Sequence, residues 1–219
     1  MSARIGVLAL VCLFSLPAIG ARRGRFNNSV QNQVPAQPLT PPQSAHNSDG
    51  QGSERPPAET IELPAKPVEQ MNDQEYADYI QTLPQAIRHF VEVYAIERPG
   101  MRFHPLLYQV AQKRAKYCMT VRGGHPSDLN RQVRSGGYKL PRNIPDNGNE
   151  LESLWAGAVA EDALEGWRGH GPHKVHVFGT QSPYHTHKYF GVGYYASPPG
   201  SRGQWVIITA PPQEQSTDK

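Results

Sequence analysis

From Asn72 to Glu97 the apolar side chains fall on Tyr79, Leu83, Ile87, Phe90, Val91 and Tyr94, a three-and-four spacing that predicts helix. Asn72 or Asp73 offers a cap, and Pro84 interrupts the run, so two helices are expected. A second helical run follows His104 in "HPLLYQVAQKRAKYCMTV". Leu107, Val110, Ala111, Ala115 and Cys118 share one face, as in a helix lying on something flat, and "RGG" ends it. After a polar loop, "AGAVAEDALEGW" predicts a third helix with Val159, Ala163, Leu164 and Trp167 inward. The period then shortens. "YFGVGYYA" and "QWVIITA" are β-type runs joined by "SPPGSRG", which is hairpin chemistry. Helices followed by a terminal hairpin predict a mixed α/β (α+β) domain over residues 71–212, with a polar tail at 213–219. Gly191 and Gly193 are expected where a strand and a helix approach closely, and Trp155, Trp167 and Trp205 in the core.

Neither period holds before residue 71. Arg4 precedes "IGVLALVCLFSLPAIG", which is too short to span a membrane, with Ala18 and Gly20 as small residues ahead of a cleavage point. Residues 1–20 therefore predict a signal peptide, cleaved or retained as an anchor, and an extracellular or periplasmic location. Residues 21–70 are rich in Pro, Gln, Asn and Ser and almost free of aromatics, so they cannot bury enough apolar surface to offset their ordering entropy. They predict a disordered spacer, partly polyproline II. The chain has two cysteines. Cys12 lies in the signal, so Cys118 has no intramolecular disulfide partner and is expected to be a buried thiol. A formal net charge of +3, with no basic run beyond "ARRGR", argues against a nucleic-acid partner.

The chemistry-bearing residues are mostly histidines. "EGWRGHGPHKVHVFG" at 165–179 sets His170, His173 and His176 three apart, which alone is equally compatible with a metal site, a catalytic site or a His-rich turn. "YHTHKYF" adds His185 and His187 at alternate positions, expected in a solvated loop. No serine, threonine or cysteine has the setting of a nucleophile elbow, and no glycine-rich phosphate loop precedes a helix.

The order of the segments resembles the CAP superfamily, the SCP-like domain of cysteine-rich secretory proteins, venom antigens, pathogenesis-related proteins and many secreted bacterial proteins. In "HPLLYQVAQKRAKYCMTVRGGH", Ala111 and Ala115 lead to His125 as in the family's helix. In "RQVRSGGYKLP", Arg134, Gly137 and Tyr138 match its Arg…Gly-Tyr segment. "LESLWAG" is similar to its Gly-Glu-Asn stretch, placing Glu152 and Gly157. "AVAEDALEGWRGHGPHKVHVF" places Trp167 and His173, and "KYFGVGYYASPPGSRGQWVIITA" resembles its closing strands at Gly191, Gly193, Tyr194 and Trp205.

The resemblance implies a three-layer α-β-α sandwich and a cleft in which His125, Glu152, His170 and His173 converge, with His176 outside it as a structural residue. Two departures stand out: Glu150 competes with Glu152, and His170 stands where eukaryotic members carry an acid. Three imidazoles and a carboxylate are suitable ligands for Zn²⁺. The function expected is a secreted, monomeric binding module whose ligand is a metal, a lipid, a sterol or a partner protein. The alternative is a metal-dependent hydrolase with Glu152 as its base.

Overall fold

The computed structural model describes residues 61–121 and 124–214; the predicted signal peptide, most of the spacer and the end of the tail lie outside the described residues. Helix α1 (Asp73–Gln81) begins at a capping box. Asn72 Oδ1 accepts from the Glu75 N–H at 2.9 Å, while the Glu75 carboxylate accepts from the Asn72 N–H at 2.8 Å. Pro84 stands before α2 (Gln85–Glu97), as its missing N–H and fixed φ favour. The short strand β1 (Arg102–Phe103) leads into α3 (Pro105–Val121), which buries the face expected of it, from Leu107 to Cys118. Next come α4 (Leu129–Ser135), β2 (Glu152–Gly157), α5 (Ala160–Gly169), α6 (Gly171–Phe178), β3 (Tyr189–Tyr195) and β4 (Gly203–Ala210).

The sheet runs β1-β3-β4-β2; β1 is parallel to β3, and the other pairs are antiparallel. The expected hairpin is therefore β3–β4. Alternation along β4 separates two cores. Val206, Ile208 and Ala210 face α3 and α4 together with Leu107, Ala111, Leu129 and Val133. Trp205 and Ile207 face the opposite layer with Phe90, Tyr94, Leu164, Trp167 and Val177. The result is an α-β-α sandwich. The layer of α3 rests directly on β3, because a Cβ on Gly191 would enter the α3 backbone at Leu107 and Tyr108, and one on Gly193 would enter it at Ala111 and Gln112.

Some elements differ from expectation. Ala156 and Gly157 close β2 rather than open a helix; α5 starts at Ala160, and Val159 is an extended, 49%-exposed residue in front of it. The polar loop contains α4, and the His-rich turn is the helix α6, with Pro172 in its first turn and Gly179 in the left-handed conformation at its end. Packing also begins before Met71, since Val68 and Ile61 are buried in the larger core. Trp167 and Trp205 are fully buried, Trp155 is partly buried against the same core, and Cys118 is a buried free thiol. No described helix is long and apolar enough to cross a membrane.

Candidate functional site

Strand β2 pairs only with β4 among the described residues, so its other side is an open edge. Side chains alternate along it. Glu152, opposite Ile208, points into the α3 layer, and Ser153, opposite Ile207, points into the α6 layer. Groups from both layers meet around that edge.

On the α3 side the Glu152 side chain has no exposure and accepts from Arg114 Nε at 2.8 Å and from His125 Nδ1 at 2.9 Å. A second Arg114 nitrogen donates to Glu152 at 3.5 Å and to the Gly124 carbonyl at 2.8 Å, tying down the loop that carries His125. Burial opposes ionisation of Arg114, and the carboxylate beside it more than compensates, holding the guanidinium above its usual range. Glu152 thus fixes the His125 ring through Nδ1, leaving Nε2 as the nitrogen able to act as a ligand. Glu150, the competing acid, is exposed, and it accepts from Asn130 Nδ2 at 3.0 Å.

On the α6 side Ser153 Oγ lies 3.0 Å from His173 Nδ1 and 2.7 Å from His176 Nδ1. His173 stands across the strand edge from His125, with ring centroids 6.3 Å apart, and His170 is 4.7 Å from His173. Desolvation, reinforced by His170 and His125, lowers His173 to about 4, so its imidazole is neutral at neutral pH and available as a ligand. The chain therefore brings His125, Glu152, His170 and His173 together, with Glu152 engaged by Arg114 and directed at the back of His125. As the side chains stand, no three His, Cys, Asp or Glu among the described residues are arranged to hold a metal ion.

His176, one turn of α6 further on, is buried, with Nε2 2.9 Å from Thr209 Oγ1. His187 departs from the expectation of a solvated loop: it is 4% exposed, and its Nδ1 lies 2.6 Å from Thr209 Oγ1, because a 3₁₀ turn at Tyr184–Thr186 folds it against β4 while His185 stays exposed. Sequence reasoning missed Arg114, Ser153, Thr209 and Arg98. Arg114 carried a signal, as a charge three residues after Ala111 on a buried helical face. Arg98 is buried and donates to the carbonyls of Val177 at 3.0 Å, and also of Tyr184 and His187, clamping α6 to the turn after it.

No protein-family model matches the sequence, and no curated protein matches it. Solved structures do match. An outer surface protein of Borrelia burgdorferi superposes with a TM-score of 0.41 at 14% identity, over 57% of this chain and 88% of its own. An extracellular SCP-domain protein of Bacillus anthracis gives 0.42 at 14% identity, over 65% of this chain and 44% of its own. Venom allergen-like protein 4 of Schistosoma mansoni gives 0.39 at 15% identity, over 60% and 92%. The likeness to each is partial.

Proposed function

We propose that the chain is an exported CAP-like binding protein whose ligand site is the imidazole cluster at the open edge of β2, and that this cluster takes a divalent ion of the zinc type. The observation supporting this is the engagement of both Nδ1 atoms: Glu152 accepts from His125 and Ser153 contacts His173, at 2.9 and 3.0 Å. A histidine whose far nitrogen is held by a carboxylate or hydroxyl has its orientation fixed for metal binding through Nε2. His125, His173 and His170 would hold the ion, and Glu152 and Ser153 would orient them. When bound, the ion supplies a Lewis-acidic anchor for an anionic or carbonyl group of the lipid, sterol or protein ligand. The hydrolase alternative gains no support from the geometry. Its intended base, Glu152, is fully buried and occupied by Arg114 and His125.

The test is titration of chelator-treated full chain with Zn²⁺ by calorimetry. One tight site is expected, lost in His173→Ala and weakened about 10–100-fold in Glu152→Gln, as for residues that orient ligands. A chain that takes up no zinc, or whose affinity is unchanged in both variants, overturns the proposal.

A further inference from the structure

Behind the cluster, a chain of buried side chains runs along the inner face of the sheet. Ser153 Oγ bridges His173 Nδ1 and His176 Nδ1 at 3.0 and 2.7 Å, and Thr209 Oγ1 bridges His176 Nε2 and His187 Nδ1 at 2.9 and 2.6 Å. Ser153, His176, His187 and Thr209 are each 4% exposed or less. The chain ends at a pocket of about 310 Å³, bounded by Pro141, Ile144, Pro183, Tyr184, Pro211 and His187 itself. Because His187 turns Nδ1 toward Thr209, Nε2 is the ring edge left for that pocket.

A hydroxyl has one proton to donate, and a neutral imidazole has one N–H. Burial favours the uncharged form of His176 and of His187. A hydroxyl can also accept twice, so four arrangements of uncharged rings satisfy all four contacts, and in two of them each hydroxyl accepts from one neighbour and donates to the other. In the first, His173 Nδ1–H donates to Ser153, Ser153 to His176 Nδ1, His176 Nε2–H to Thr209, and Thr209 to His187 Nδ1. His187 then carries its proton on Nε2, and His173 has a lone pair on Nε2. In the second, every donation reverses: His173 is protonated on Nε2 and His187 presents a lone pair. In the other two, one hydroxyl accepts from both neighbours, and His173 and His187 are both protonated on Nδ1. A proton on His187 Nε2 therefore occurs only in the first arrangement, with His173 protonated on Nδ1.

We propose that the pocket is a second ligand site, for a compact neutral molecule with an apolar body and one acceptor oxygen, and that it is coupled to the cluster through Ser153, His176 and Thr209. Proline rings, Ile144 and Tyr184 suit the apolar body, and the exposed carboxylate of Glu150 at the rim disfavours an anion. The acceptor oxygen requires N–H on His187 Nε2, which selects the first arrangement. That arrangement leaves His173 Nε2 able to bind a metal. The pocket site does not depend on whether a metal binds.

The experiment uses the full chain labelled with ¹⁵N, cyclohexanone as the probe and cyclohexylamine as the donor-bearing control, and long-range ¹H–¹⁵N spectra of the imidazoles. The expected result is a saturable shift at His187 toward protonated Nε2 with the ketone alone, accompanied by a shift at His173 toward protonated Nδ1. Thr209→Val, which removes one bridging hydroxyl at constant volume, should abolish the His173 response. Ser153→Ala interrupts the chain at the other hydroxyl and serves the same purpose if the first variant folds poorly. If cyclohexanone leaves His187 unshifted, or cyclohexylamine shifts it equally, the pocket proposal is overturned. If His173 responds equally in wild type and in both variants, the coupling is overturned. Failure of Zn²⁺ to bind would show separately, as unmoved His125 resonances, and would count against the metal site only.

Discussion

Replacing Arg114 by Met tests the claim that Glu152 serves as a fixed support. The side chains of the pair are 6% and 0% exposed, and the guanidinium also holds the Gly124 carbonyl at 2.8 Å. Methionine keeps most of the apolar stem but leaves a buried carboxylate with His125 as its remaining partner. Breaking a buried ion pair from one side costs about 3–5 kcal/mol. At about 2–4 °C per kcal/mol for a domain of this size, the Tm should fall by roughly 6–20 °C. The assay is a calorimetric melt of wild type, Arg114→Met, Glu152→Gln and the double variant. The double variant should be more stable than the sum of the single losses predicts, by about 1 kcal/mol or more, because removing both charges strands neither. A single variant melting within about 2 °C of wild type, or losses that simply add, would refute the reasoning.

Other consequences can be measured in the same material. Gly193→Ala would drive a methyl into the α3 backbone at Ala111 and Gln112, so the urea midpoint should drop by the equivalent of about 3 kcal/mol or more; an unchanged midpoint would mean that the helix–sheet approach is looser than described. His187 is lowered to about 4 and His176 is held well below its usual value, both chiefly by burial. The unfolded chain therefore binds protons that the folded chain refuses. Their contribution is complete above the unfolded value near 6.5 and lost as pH falls toward 4, so urea midpoints should decline between pH 7 and 4.5, and a flat profile would contradict the burial. Asn72→Ala removes the α1 capping box and should cost about 1 kcal/mol in chemical denaturation, with no loss meaning that α1 is held by packing alone. Cys118 should react with a thiol reagent only as the chain unfolds, and rapid labelling of native protein would show that its niche opens.

The strongly periodic segments were legible in the sequence. The Pro84 break, the buried face of α3 and the β3–β4 hairpin each follow from spacing, and Gly191 and Gly193 stand where backbone approach requires them. Strand β2 was not legible, because in "ESLWAG" a buried acid and a buried serine disguise the alternation. A strand whose inward positions are polar looks like a loop until its partners are known. The convergence of His125, Glu152, His170 and His173 came from the family resemblance, since no local pattern relates residues that far apart. Their division of labour depended on residues that the resemblance did not include. Arg114 makes Glu152 a support, and Ser153 links the cluster to His176. The burial of His187 was not legible in "YHTHKYF", because it depends on Arg98 and Thr209, distant in sequence, which draw the turn inward.

Strand β2 also makes the site sensitive to a different kind of error. Among the described residues it is held by a single ladder, to β4, and its two adjacent polar residues belong on opposite faces of the sheet. A slip of one residue would exchange them, placing the Glu152 carboxylate against the buried ring of His176 and the Ser153 hydroxyl against the guanidinium of Arg114. Both resulting contacts are unfavourable: an acid would be set into an uncharged imidazole row, and a cation would be left without its counter-ion. The same pair of residues that orients the histidines from two sides therefore also fixes the alignment of the edge strand.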